Sequence, residues 1–208
     1  MEITDVQFGQ SEADQIAGAM KGSVQEIYFT PKMQKIVIDM MGGMVKMQTY
    51  QDFQNETYEN YMDMMGQKIK MIIGMEELKE KRQEMETLSS ESKVTYDKSD
   101  TKTIIGYKCY KAIVAIPTGD GTDFNLEMYV TDKIKVPQIS VQDLEYLNLE
   151  GTPLELIMDM GMMSLTYTAI SFSEDFNMDI FKKPEGDYKV MSMEDLQKMG
   201  MGNFMGPR

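Results

Sequence analysis

The chain has 208 residues, 21 basic and 34 acidic, for a formal charge of −13, with 24 methionines, one cysteine and no histidine. That charge argues against nucleic acid or an anionic membrane surface as the primary partner. The missing histidine excludes histidine-based triads and histidine metal sites, and one cysteine cannot close an internal disulfide. No apolar run reaches the roughly 18 residues that a membrane-spanning helix needs, so the protein is expected not to span a membrane by helices.

In chain order, Met1–Gln10 is polar and acidic and carries no secretion-signal pattern. Residues 1–23 are expected to form an N-terminal segment with a short helix over Ser11–Met20. From residue 24 the dominant period is two, broken by Gly, Asp and Asn, which predicts antiparallel strands. The expected strands are Val24–Thr30, Met33–Met40, Met44–Phe53, Thr57–Met64 and Gln67–Ile73. The segment Met75–Leu88, MEELKEKRQEMETL, is built from good helix formers, and Leu78, Arg82 and Met85 lie along one side of it as a thin stripe. It is expected to act as a cover or lid. Thr103–Ile116 and Thr122–Val130 are predicted to form a hairpin around TGDG, Thr118–Gly121. In the second of these, Phe124, Leu126, Met128 and Val130 share one face, and Asp123, Asn125, Glu127 and Tyr129 the other. Leu154–Met160 and Met162–Phe172 are the last expected strands, PEGDY at Pro184–Tyr188 is a turn, and Ser192 with Asp195 resembles a capping box opening a helix to Met199. Residues 200–208 are expected to be a flexible tail.

These elements predict a mainly β protein with peripheral helices. The expected architecture is one large curved antiparallel sheet, half-barrel-like, with a few helices over one face, in a single domain spanning 24–199. Met158, Met160 and Met162 share a strand face with Leu156. Together with Phe124, Leu126 and Met128 they are candidates to line an apolar cavity. Thioethers are unbranched and polarizable and adapt to irregular partners, so the same residues equally suit ordinary core packing. Closely spaced methionines, as in Met40–Met47, also leave a methionine-only Cu(I) site open as an alternative. Cys109 lies in an apolar-basic strand with no histidine to activate it and reads as a small packing residue. The carboxylate pairs Glu76–Glu77, Glu174–Asp175 and Glu194–Asp195 are sequence neighbours that point in different directions, which suits solvated charge rather than catalysis. The aromatic stretch Thr49–Tyr61 is interleaved with acids, which argues against base stacking and favours rings turned to a core or cavity. No catalytic residue, metal site or cofactor is predicted.

The stretches Thr101–Val114, Tyr61–Ile73, Gly151–Met160 and Lys182–Met199 resemble a Met-rich bacterial cell-envelope family of unknown function, numbered forty-four twelve. The resemblance runs from about Ile27 to Met199. Its most specific element is T-K-T-I-x-G-Y-K-C-x-K-A, matched by Thr101, Lys102, Thr103, Ile104, Gly106, Tyr107, Lys108, Cys109, Lys111 and Ala112. The resemblance implies an exported, non-enzymatic protein similar to the lipoprotein-carrier-like fold, periplasmic or otherwise extracytoplasmic, with the present chain as the mature form. Its expected partner is a hydrophobic small molecule or a lipidated protein. The rival expectations are Cu(I) binding and a structural or protein-interaction module with a filled core.

Overall fold

The computed structural model describes residues 1–8, 18, 20–73, 83, 92–117, 123–136, 147, 149–159, 163–192 and 195, without the side chains of Phe8, Asp123, Phe124 and Met163. Among the described residues twelve strands follow one another: β1 Glu2–Phe8, β2 Val24–Phe29, β3 Met33–Met40, β4 Val45–Asp52, β5 Thr57–Met64, β6 Gln67–Ile73, β7 Lys93–Ile104, β8 Tyr107–Pro117, β9 Asp123–Thr131, β10 Thr152–Asp159, β11 Met163–Thr168 and β12 Lys189–Met191. The protein is mainly β, as the period-two patterning predicts.

The chain divides into two compact units, Met1–Ser23 with Arg82–Glu174 and Val24–Lys81 with Asp175–Arg208. Residues 24–199, expected to make one domain, thus contribute to both. In the first unit the strand order is β1-β11-β10-β9-β8-β7, every pair antiparallel. In the second it is β2-β3-β4-β5-β6-β12. There the antiparallel pattern holds through β6, and β12 joins β6 in parallel.

Tight turns set the register. β5 and β6 are joined through Met65 and Gly66, at φ 53° and 87°, and β7 and β8 through Ile105 and Gly106, at φ 43° and 85°. Two successive left-handed residues are what a two-residue hairpin of primed type requires, because its twist matches that of the strands. The Ile105–Gly106 turn corrects one expectation: Thr103–Ile116 is the end of β7, a turn and most of β8. An isoleucine at positive φ is disfavoured and hides the turn from a sequence reading. β7 itself was not among the expected strands. Its alternation fails where the register shifts between Asp97 and Thr101, and there the Asp97 carboxylate accepts from the Ser99 amide, the Ser99 hydroxyl and the Asp100 amide at 2.9, 2.6 and 3.2 Å. β1 and β12 were also unexpected, one being acidic and the other only three residues long.

β8 and β9 pair from Tyr110 with Val130 to Pro117 with Asp123, so the predicted hairpin forms, with TGDG itself outside the described residues. The predicted helix Met75–Leu88, including Leu78, Arg82 and Met85, lies outside them too except for Gln83, which is helical. The helix expected at Ser11–Met20 is described only at Gly18 and Met20, both helical. The capping box is made reciprocally: the Ser192 hydroxyl accepts from the Asp195 amide at 3.1 Å, and the Asp195 carboxylate accepts from the Ser192 amide at 3.1 Å.

Candidate functional site

In the first unit the register aligns apolar side chains across five strands. One row runs Val114, Leu126, Met158, Leu165, Val6, and the next Ala112, Met128, Leu156, Tyr167, Ile3. Four of the residues expected to line a cavity, Leu126, Met128, Leu156 and Met158, are therefore direct cross-strand neighbours. Leu126 is 3% exposed, Met128 0% and Leu156 1%, whereas Met158 is half-buried. Phe124 lies opposite Ile116 at the start of β9, and Met160 and Met162 fall outside the described residues.

Tyr129, Lys111 and Glu127 alternate with these rows and belong to the opposite face, which carries the charges. Lys102 Nζ lies 2.6 Å from Glu155 Oε1 and 4.2 Å from the centre of the Tyr129 ring. The Thr168 hydroxyl donates to the other Glu155 oxygen at 3.3 Å. The Tyr129 hydroxyl donates to Asp100 at 3.1 Å, and Lys111 pairs with Glu127 at 2.8 Å and with Asp100 at 3.8 Å. Burial works against the Lys102 charge, but the hydrogen bond and charge of Glu155 outweigh it and hold the ammonium above its ordinary pKa. Each carboxylate named here has a lysine partner, with Lys111 shared between Glu127 and Asp100, an arrangement that fixes side chains.

The hairpin that carries the T-K-T-I-x-G-Y-K-C signature is formed by β7 and β8 within the first unit. Ile104 and Cys109 pack with Tyr129, Ile134, Leu154 and Ala169 in a buried cluster. Cys109 is 0% exposed, burial raises its thiol pKa, and its S–H points to the Tyr107 carbonyl at 3.5 Å. A thiol so placed is neither a nucleophile nor a ready metal ligand.

The second unit has two unlike faces. On one, Tyr50 and Tyr61 stack edge to face at 5.5 Å and Tyr61 and Tyr188 at 5.1 Å, with Lys35 over Tyr50, Lys70 over Tyr61 and Lys68 over Tyr188. The segment leading to β12 lies along this face. Lys35 donates to the Ile180 carbonyl at 2.8 Å, Tyr50 donates to the Lys182 carbonyl at 2.8 Å, and Lys183 pairs with Glu59 at 2.8 Å. Burial, with the Glu59 hydrogen bond and charge, pushes the Tyr61 hydroxyl up to about 12. Sequence placed the rings of Thr49–Tyr61 toward a core or cavity; the lysines at alternate positions 68 and 70 were the signal of this cation-capped stack that it overlooked.

The other face is set by alternation to hold Gln34, Ile36 and Ile38 of β3, Met47, Thr49 and Gln51 of β4, Asn60 and Met62 of β5, and Ile69, Met71 and Ile73 of β6. Met62, Ile69, Met71 and Met191 form a buried cluster with Met47 packed against it. Gln34 is 2% exposed and Asn60 5%. Met41, Met44 and Met65 sit on neighbouring turns at one end of these strands, where the Met65 amide donates to the Met44 carbonyl at 2.9 Å, and all three are exposed. A hollow of about 290 Å³ in this unit is bordered by Thr30, Met33, Asp52 and Met178 among others, away from every residue expected to line a cavity.

No protein-family model matches the chain, and no curated protein matches it. Among solved structures it is similar to that of PNGF-II, at 14% identity and a TM-score of 0.39, over 88% of this chain and 32% of the other. The chain thus spans about a third of that protein, and a likeness this distant bears on neither fold nor chemistry.

Proposed function

We propose that the chain is a non-enzymatic binding protein of the bacterial cell envelope that takes a hydrophobic ligand, a lipid or the acyl part of a lipidated partner, against its apolar, methionine-bearing strand faces. The observation that carries this reading is the cross-strand set Leu126, Met128, Leu156 and Met158, continued by Val114, Ala112, Leu165 and Ile3 into one apolar surface. Binding there would draw about 25 cal/mol for each Å² of apolar ligand surface removed from water, with flexible methionines repacking around chains of different length. The resemblance of the Thr101–Ala112 signature to an envelope family points the same way.

A second reading rests on the near-zero exposure of Leu126, Met128 and Leu156, which suits a scaffold whose core is already full. The two separate in one experiment. Gently purified protein is examined by native mass spectrometry and its extract analysed for lipid. Carriage predicts a bound mass that disappears on extraction and is reduced by Met128→Phe, which fills the face. A scaffold predicts the bare chain mass alone, and that result would sink the carrier reading.

A further inference from the structure

Two turns of the second unit expose methionines where the chain gains little by placing them. Between β3 and β4 the turn Met41–Gly43 ends at Met44, and between β5 and β6 the turn is Met65 and Gly66. Met41 is 40% exposed, Met44 47% and Met65 83%. Met41 and Met65 also stand at φ 54° and 53°, in the left-handed region that Gly, Asn and Asp occupy at least cost. A side chain kept on a backbone that disfavours it, without burial in return, points to a role outside packing.

Register brings the two turns together. The Met65 amide donates to the Met44 carbonyl at 2.9 Å, and the Met44 amide to the Met41 carbonyl at 3.5 Å, so the three backbones are linked through hydrogen bonds. The remaining residues of these turns are Gly42, Gly43 and Gly66. The side chains that the turns offer are therefore all thioethers, each on three rotatable bonds that let neighbouring sulfurs converge.

The chemistry of that set narrows what it binds. An apolar docking patch needs no sulfur and would be served equally by Leu or Ile, whereas neutral thioethers are donors that select Cu(I). The strand ends behind the turns, Met40, Val45 and Met64, form one cross-strand row without charge. Asp39 and Asp63 belong by alternation to the opposite strand face. Both are engaged: Asp63 accepts from the Gly66 amide at 2.9 Å, and Asp39 pairs with Lys46 at 3.6 Å. A harder divalent ion, which prefers carboxylate or imidazole, finds neither an imidazole nor an unengaged carboxylate among these residues.

We propose that Met41, Met44 and Met65 form a surface site for a Cu(I) ion, held by thioether sulfurs drawn from both turns. The sequence left a methionine-only site open at Met40–Met47. The fold divides that run, leaving Met40 and Met47 half-buried in their strands and bringing in Met65 from the next hairpin. The site is separate from the hydrophobic-ligand reading and stands or falls without it.

The test is an anaerobic titration of the full chain with Cu(I) carried by the chromophoric chelator bicinchoninate. Expected is withdrawal of one Cu(I) per chain, lost when Met41→Leu, Met44→Leu and Met65→Leu are combined and weakened by Met65→Leu alone. Met178→Leu, at an exposed methionine elsewhere in the unit, should leave it unchanged. Ag(I), a redox-inert stand-in, should shift the isotope-labelled methyl resonances of Met41, Met44 and Met65 in the wild type, a readout that depends on no variant folding. Absence of Cu(I) uptake, uptake undiminished in the triple variant, or shifts confined to other methionines would each overturn the site. Zn(II) competing on equal terms would overturn its assignment to a soft ion, and unchanged affinity in Met65→Leu would overturn its construction from two turns.

Discussion

Single residues show where local chemistry and environment agree and where they part. Cys109 agrees: buried, with its thiol pKa raised by burial, it should resist alkylation in the native protein and react fully once guanidinium unfolds the chain. Rapid native labelling, followed by mass spectrometry, would contradict the packing role assigned to it. Met65 parts company with its surroundings. It is 83% exposed at φ 53°, where a side chain meets the following carbonyl and a methionine gains no burial in return. Met65→Asn should stabilise the protein by about 1 kcal/mol, read as a higher urea midpoint at unchanged slope. Of the residues chosen from sequence to line an apolar surface, Leu126, Met128, Leu156 and Met158 do share a face, because in a strand alternation alone decides which side chains do. Gln34 was invisible by the same logic: an unsatisfied amide is defined by what surrounds it, and no spacing reports that.

Elements depend on contacts that a strand makes with its neighbours. Gly151 stands at the entrance to β10, and a Cβ there would lie 2.6 Å from the Thr131 carbonyl oxygen and 2.9 Å from its carbon. Backbone cannot yield as a side-chain tip does, so Gly151→Ala should destabilise by about 1–3 kcal/mol, seen as a lower Tm with the fold retained. The segment that covers the tyrosine face gives a pH signature. A tyrosine with a folded pKa near 12 against an ordinary 10.0 stays neutral in the folded protein after the unfolded chain has begun to ionise. Its stabilisation is complete below pH 10 and is lost as pH rises to about 12. Urea unfolding across that window should show stability falling, with a shallower fall in Tyr61→Phe, and an identical slope in both would remove Tyr61 from the account. The strands Met33–Met40, Thr57–Met64 and Gln67–Ile73 were readable to the residue since Gly and Asn punctuate clean alternation. β7 was not, as Asp97 holds a bulge by its own side chain and erases the period.

For the molecule as a whole, charge is the property that no single contact reveals. With 34 acids against 21 bases the folded chain repels itself, and internal lysine–carboxylate pairs leave the net charge of −13 unchanged. Raising ionic strength from about 0.01 M to about 0.15 M shortens the screening length from roughly 30 Å to roughly 8 Å and should raise Tm at pH 7. A Tm that falls with salt would mean that the ion pairs, Lys102–Glu155 and Lys183–Glu59 among them, outweigh the repulsion. The sequence by itself determined the mainly β character, most strand positions, which residues share a face, and the absence of any histidine chemistry, since each follows from composition or from the two-residue period of a strand. Only the tertiary structure decided that β12 runs parallel to β6, that the chain returns to build each of two units from separate segments, that Glu155 is held by Lys102, and that Gln34 is buried without a hydrogen-bond partner among the described residues. Those facts are pairings between residues far apart in the chain, and pairing energy depends on what the fold brings together.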